Sequence, residues 1–256
     1  MSERHELLLD VRQVSKHFGG VYALNKATLA VARGEVHALI GPNGAGKTTL
    51  IHVLSGVLAA DEGAVVFDGL DLGRMPMHER VTHGLARSYQ ITNIFSRLSV
   101  LDNVAMAVQS RVRDWGTSFS FWKPFALDAA IIAEAHALLE QVSLPRVAMR
   151  LAGQLAHGEQ RCLEVALALV TRPKLLLLDE PMAGMGPEES ERMVELIERL
   201  ANDVTILLVE HDMEAVFRLA DRISVLVGGS VIASGSPEAI RADVEVRRAY
   251  LGDEVA

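Results

Sequence analysis

One cysteine, Cys162, stands among 256 residues, so no disulfide can form within the chain. Folds stapled by bridges are thereby excluded. Aromatic residues make up only 5% of the chain, although half of all residues are hydrophobic. No run of 18 apolar residues occurs, which excludes a single helix that crosses a bilayer. Positive charge is not in excess: 25 Lys and Arg face 33 Asp and Glu, a formal charge of −8. A nucleic-acid-binding domain carries a basic face, so the balance argues against nucleic acid as a partner. The opening MSERHELLLD puts charges where a secretory leader needs its apolar stretch. Internal repeats, low-complexity segments and sustained heptads are all missing. These absences lead us to expect a chain of the cytoplasm. Docking on a membrane protein stays open, since it needs only a surface patch.

What is present reads as alternating strands and helices. LLLDVRQV (Leu7 to Val14), EVHALI (Glu35 to Ile40), KLLLLD (Lys174 to Asp179) and VTILLVE (Val204 to Glu210) predict strands. The last two are nearly continuous apolar runs, the pattern of strands buried on both faces of a parallel sheet. Between them, PEESERMVELIERLAN predicts a helix: Pro187 suits its first position and acids crowd its first turn. Met193, Val194, Ile197, Leu200 and Ala201 share one face of it. Strand, helix, strand is a crossover unit, and the fold class is α/β. ISVLVGGSVIASG predicts a hairpin turned at Gly228-Gly229. From about residue 91 to 170 the patterns are helical instead, as in LDAAIIAEAHALLEQV. Within that region SRVRDWGTSFSFWKP, Ser110 to Pro124, holds both tryptophans without periodicity. It reads either as a loop folded on its own aromatics or as a contact for a partner.

EVHALI-GPNGAGKTT carries the strongest chemical signal. A predicted strand runs into Gly41-Pro42-Asn43-Gly44-Ala45-Gly46-Lys47-Thr48-Thr49, and a helical pattern follows. This is the G-x-x-x-x-G-K-[ST] cradle in its confirming context. The glycines let backbone N–H groups curl around phosphate oxygens, and the helix N-terminus adds partial positive charge. Lys47 then reaches the β- and γ-phosphates of ATP, and the Thr48 hydroxyl ligates Mg²⁺. KLLLLDEP supplies the other half. Asp179 ends a buried strand, where it suits Mg²⁺ through water, and Glu180 beside it can face an attacking water.

The order of cradle, LAHGE, LLLLDEP and VTILLVEHD resembles the ATPase subunits of ABC transporters across almost the whole chain. The resemblance implies a P-loop ABC ATPase core with a mainly parallel sheet and N-terminal antiparallel strands. It implies one domain, with a core at about 1–90 and 171–256 and an inserted helical subdomain at about 91–170. Leu155, Ala156, His157, Gly158 and Glu159 match the signature motif, which contacts ATP held by the other subunit of a dimer. Phe18 matches an aromatic that stacks on adenine. Gln90 matches a glutamine that senses Mg²⁺ and water, and His211 a switch histidine at the γ-phosphate. His78 and His83 read as surface residues.

Two departures from that family stand out. Its usual signature serine is Ala156 here, and the following glycine is His157. Its usual aspartate after the catalytic glutamate is missing from Ala183-Gly184-Met185-Gly186. A working but weaker trans site is the expectation. LAHGEQR, PMAGMGPEE and the ending DVEVRRAYLGDEV further resemble the branched-chain amino-acid importer subgroup. That resemblance implies a second ABC ATPase subunit as partner, a related one or a second copy of this chain. It also implies two membrane permeases, a solute-binding protein reached indirectly, and a peripheral place on the cytoplasmic face of the inner membrane. The alternatives are a urea or amide importer, a lipopolysaccharide exporter, or a soluble ABC ATPase such as a cluster-assembly factor.

Overall fold

The structure, a computed structural model, describes residues 6–88, 94–112 and 128–248. In chain order it runs β1 (Leu7–Phe18), β2 (Val21–Ala32), β3 (Val36–Ile40), α1 (Lys47–Ser55), β4 (Glu62–Phe67), β5 (Leu70–Asp71), α2 (Met77–Thr82) and β6 (Leu85–Arg87). There follow α3 (Val100–Val112), α4 (Ala129–Gln141), α5 (His157–Leu169), β7 (Leu175–Asp179), α6 (Pro187–Leu200) and β8 (Thr205–Val209). The chain continues through α7 (Met213–Leu219), β9 (Arg222–Val227), β10 (Ser230–Gly235), α8 (Pro237–Ala242) and α9 (Val244–Val246). Gln90, residues 113–124 of the aromatic segment and Tyr250-Leu251-Gly252 lie outside the described residues.

The chain divides into two compact units. One is built from the described residues of 1–87, 174–180 and 197–256, the other from those of 88–173 and 181–196.

The first unit holds two sheets. An antiparallel sheet has the order β2-β1-β4-β5, and a second sheet the order β10-β9-β3-β8-β7-β6. In the second sheet β9, β3, β8, β7 and β6 pair in parallel, and β10 closes the edge antiparallel to β9. Every residue of β3, β7 and β8 is buried, as their largely apolar sequences favour, with His37, Asp179 and Thr205 buried among them. Leu50, Ile51 and Leu54 of α1 pack in one core with Leu9 and Phe67 of the antiparallel sheet and Leu177 and Leu207 of the parallel one. Helix α1 is therefore clamped between the sheets, which fixes the loop that precedes it. The hairpin turn falls on Gly228-Gly229 as the sequence predicts, both with positive φ. Strand β1 runs past the predicted Val14 to Phe18. Its register with β2 shifts repeatedly after Val11, and Gln13 takes φ 46 there.

In the second unit α3, α4 and α5 bury Val104, Ala105, Val108, Ala135, Leu139, Leu163 and Ala166. Asp128 caps α4 by accepting from the amides of Ala130 and Ile131. On α4, Glu134 takes both a bidentate Arg111 at 2.8 and 2.7 Å and Arg172 at 2.9 Å. Helix α6 begins in this unit and ends in the first, and its Met193, Val194, Ile197 and Leu200 are buried as the periodicity predicts, with Leu196 beside them.

Leu177 is fully buried in β7. Leu177→Ala is expected to cost about 2–5 kcal/mol of stability. Urea denaturation followed by circular dichroism checks this, and an unshifted midpoint would show that α1 closes over the gap.

Candidate functional site

The carboxyl ends of adjacent parallel strands gather the predicted residues of the first unit. β3 leads into Gly41, β7 ends at Asp179, and β8 leads into Glu210 and His211. Leu39 lies opposite Val209, and Val209 opposite Asp179, so the three strand ends are level. Ligands of open α/β sheets bind at such an edge.

Sterics set the cradle's shape. Gly41 leaves β3 with φ 154, and a Cβ there would stand 2.0 Å from the Leu226 carbonyl oxygen of β9. Gly46 has φ 108, and a Cβ there would stand 2.3 Å from the Ala23 carbonyl oxygen of β2. No side chain fits either place. The loop is also hydrogen-bonded to its surroundings. The Gly229 amide donates to the Ala45 carbonyl at 2.9 Å, and the Asn25 amide donates to the Gly229 carbonyl at 2.8 Å. The β9–β10 turn thus joins the cradle to β2. Asn43 and Gly44 are exposed, and so is Thr48 at the start of α1.

Lys47 is buried, and its Nζ donates to the carbonyls of Gly41 at 2.6 Å and Pro42 at 3.1 Å. An ammonium has three donors, so one more is available to a phosphate oxygen. Burial pushes the Lys47 pKa below its usual value, while Glu180 and Asp179 act to hold it up. Lys47, Asp179 and Glu180 therefore share one electrostatic site.

Asp179 is buried against Arg87, whose Nη2 donates to Oδ2 at 2.8 Å. The other oxygen, Oδ1, is buried with no hydrogen-bond partner. A buried carboxylate oxygen left unsatisfied costs free energy unless something else binds it. Thr48 offers an exposed hydroxyl, and no cluster of three or more His, Cys, Asp or Glu suited to a metal exists among the described residues. One hydroxyl, one outer carboxylate, phosphate oxygens and water are the donor set that suits Mg²⁺.

Glu180 takes φ 48, a left-handed conformation costly for a side chain of this type. Its amide donates to the Val209 carbonyl at 2.8 Å, which helps hold that turn. Next door, Glu210 is 1% exposed and its Oε2 accepts from the His211 amide at 3.0 Å. The His211 ring itself is 61% exposed. Phe18 ends β1 with 53% exposure, and the Lys16 ammonium lies 5.7 Å from its ring centre. His78 and His83 are exposed as the sequence reading expects.

The second unit carries the LAHGE stretch. Leu155 is buried, and α5 begins at His157, inside the LAHGE stretch. Ala156 stands at the N-cap, where it has no side-chain oxygen to accept from the first turn. The Glu159 carboxylate accepts from the Ala156 amide at 2.9 Å, which is half of a capping box. His157 Nε2 lies 3.1 Å from the Ala183 carbonyl, so this ring nitrogen carries the proton and donates.

Sequence reasoning missed Arg87 and Glu210. The apolar run before Glu210 was a usable signal; Arg87 had none, because its partner is 92 residues away.

Comparison with known proteins agrees with the geometry. A family model described as "ABC transporter" matches residues 24–183, and one described as "Branched-chain amino acid ATP-binding cassette transporter" matches residues 230–256. Over 250 residues the chain is 37% identical to the high-affinity branched-chain amino acid transport ATP-binding protein BraF of Pseudomonas aeruginosa, covering 96% of this chain and 98% of that one. The chain belongs to the ATP-binding cassette ATPases of the ABC transporter family. Within that family it belongs with the branched-chain amino acid group. Another ABC relative, LivG of Salmonella typhimurium, is 38% identical over 251 residues, covering 96% and 98% of the two chains. A solved ATP-binding cassette of an ABC transporter in its ADP conformation superposes with a TM-score of 0.84 at 30% identity, covering 96% and 99%. The α/β fold with an antiparallel sheet and a helical region is thus that of an ABC ATPase. Among the described residues no helix is long and apolar enough to cross a membrane.

Arg87→Met would leave the Asp179 carboxylate buried and unpaired. Loss of one partner of a buried ion pair costs about 3–5 kcal/mol. A matching drop in the urea midpoint is expected, and an unchanged midpoint would mean the pair is not what holds β6 to β7.

Proposed function

We propose that this chain is the ATP-hydrolysing subunit that drives a branched-chain amino acid importer. The observation that carries the reading is that the glycine cradle with Lys47, and Asp179 with Glu180, stand at the level carboxyl ends of strands β3, β8 and β7. The full-length relationship to BraF and LivG supplies the solute class.

In this reading the adenine of ATP stacks on Phe18. The amides of Gly41 to Thr49 cradle the phosphates, and Lys47 neutralises the β- and γ-oxygens. Mg²⁺, when bound, offsets phosphate charge and orients the γ-phosphoryl group. Thr48 would hold it directly, Asp179 Oδ1 through water, and Gln90 would sense it. Glu180 orients the attacking water and takes its proton, and His211 contacts the γ-phosphate from the neighbouring strand end. Catalysis then rests on positioning and preset electrostatics, since phosphoryl transfer asks for little covalent help from the protein. The left-handed turn at Glu180 is backbone strain held at the residue that aims the water.

Leu155 to Glu159 covers the ATP of a second cassette, which we take to be a related subunit of the same transporter. Pairing closes around two nucleotides, and hydrolysis reopens the pair. Two permeases carry that motion to the solute, which a binding protein delivers. The chain acts from the cytoplasmic face of the membrane without entering it.

Glu180→Gln keeps shape and hydrogen bonding but cannot take a proton. It is expected to bind ATP with parent affinity and to lose turnover by about 100-fold or more. Turnover at the parent rate would remove Glu180 from the role of base. The function as a whole is tested by affinity capture of the tagged chain from detergent-solubilised native membranes. Two multispanning permeases and a second cassette among the captured proteins are expected. Capture of soluble partners alone, with no chain at the membrane, would replace the importer by a non-transport ATPase.

A further inference from the structure

The two departures of this sequence from its family meet in space. His157, at the first position of α5, donates from Nε2 to the Ala183 carbonyl at 3.1 Å. Gly184, with φ 78, lies beside the ring, and a Cβ there would come to 3.4 Å of Nε2. Glu189 lies close by on α6. Its Oε1 accepts from the Gly158 amide at 3.3 Å, and its Oε2 from the Gly186 amide at 3.5 Å.

Gly158 is the second residue of α5, where an N-cap serine would ordinarily accept. Ala156 cannot. Gly186 is itself the N-cap of α6, since its carbonyl accepts from the amides of Glu189 and Ser190. One carboxylate therefore satisfies amides at the starts of two helices, in the positive field of both dipoles. The ring and the carboxylate fasten α5 to the Ala183–Gly186 segment at two points.

We propose that Glu189 and His157 are positioning residues that make up for the missing serine hydroxyl at the start of α5. The carboxylate does from α6 what the hydroxyl would do from the N-cap: it holds the first turn of α5 in register. The ring ties that turn to the segment that follows Glu180 in the chain. The start of α5 and the Ala183–Gly186 segment then move as one piece when a second cassette closes. Both contacts are cis contacts, so they exist before any partner arrives. The proposal rests on the reading of Leu155 to Glu159 as the stretch that covers the partner's ATP.

The test uses the full chain and the variants E189A, H157G and E189A/A156S. Hydrogen exchange of peptides covering 155–160 and 182–187 is read without nucleotide. Steady-state ATPase of the captured transporter and affinity for a fluorescent ATP analogue are read beside it. With one capping bond lost, E189A should speed exchange in both peptides about fivefold and lower kcat by a similar factor. Analogue affinity, set by the cradle of the same chain, should stay unchanged. A156S should restore most of the loss in the E189A background, because the serine takes over the amide, and the gain should exceed that in the parent. H157G should speed exchange chiefly in 182–187. Unchanged exchange in E189A and H157G would overturn the fastening itself. Faster exchange with unchanged kcat would overturn its role in positioning. Failure of the underlying reading has a separate signature: parent ATPase activity per chain that stays constant as the cassettes are diluted apart.

Discussion

Two backbone oxygens shape this molecule's chemistry. The carbonyls of Leu226 and Ala23 press on the loop between β3 and α1 so closely that only glycine fits at 41 and 46. The loop cannot relax outward, because α1 behind it is packed between two sheets. Nor can it slide, because the turn at Gly229 bonds to Ala45 on one side and Asn25 on the other. Preorganised amides cost no reorganisation when phosphate arrives, and that is the condition for electrostatic catalysis. The antiparallel sheet, the helix and the β9–β10 hairpin are thus parts of one clamp on eight residues.

Around that loop the charges are arranged with little slack. Asp179 is held by Arg87 through one oxygen, and the other oxygen is left buried without a partner. The guanidinium anchors one carboxylate oxygen, and the buried second oxygen is costly unless something else binds it. Glu180, one residue on, is turned out of the strand by a left-handed φ. Two adjacent acids can take different tasks because the backbone sends them in different directions. Glu210 and His211 follow the next strand, with the first side chain buried and the second exposed.

The parts of this architecture that were legible in the sequence are local ones. The cradle is a contiguous string, β7 and β8 are unbroken apolar runs, and the Gly228-Gly229 turn announces its hairpin. The α/β class follows from those alone. Strands β5 and β6, of two and three residues, are too short to show a period. β2 hides Asn25 and Lys26 within its apolar alternation, and β1 loses its alternation where the register shifts. Long-range polar contacts leave no trace in a single sequence: Arg87 meets Asp179 across 92 residues, and Glu189 meets Gly158 across 31. His37 is a further case. It is fully buried between Glu35 and Ser224, a network joining β3 to β9 that no motif signals. Phe18, Gln90 and His211 acquired meaning only through the family resemblance, and Gln90 lies outside the described residues.

The central claim is that the ATP site is completed by a second cassette. The most direct measurement is an electron cryo-microscopy structure of the native complex captured with a non-hydrolysable ATP analogue and Mg²⁺. The account predicts the γ-phosphate bracketed by Lys47 of one cassette and the signature-helix amides of the facing one, with Glu180 within reach of the attacking water. A γ-phosphate enclosed by residues of a single chain, with the start of α5 far from any nucleotide, would contradict it.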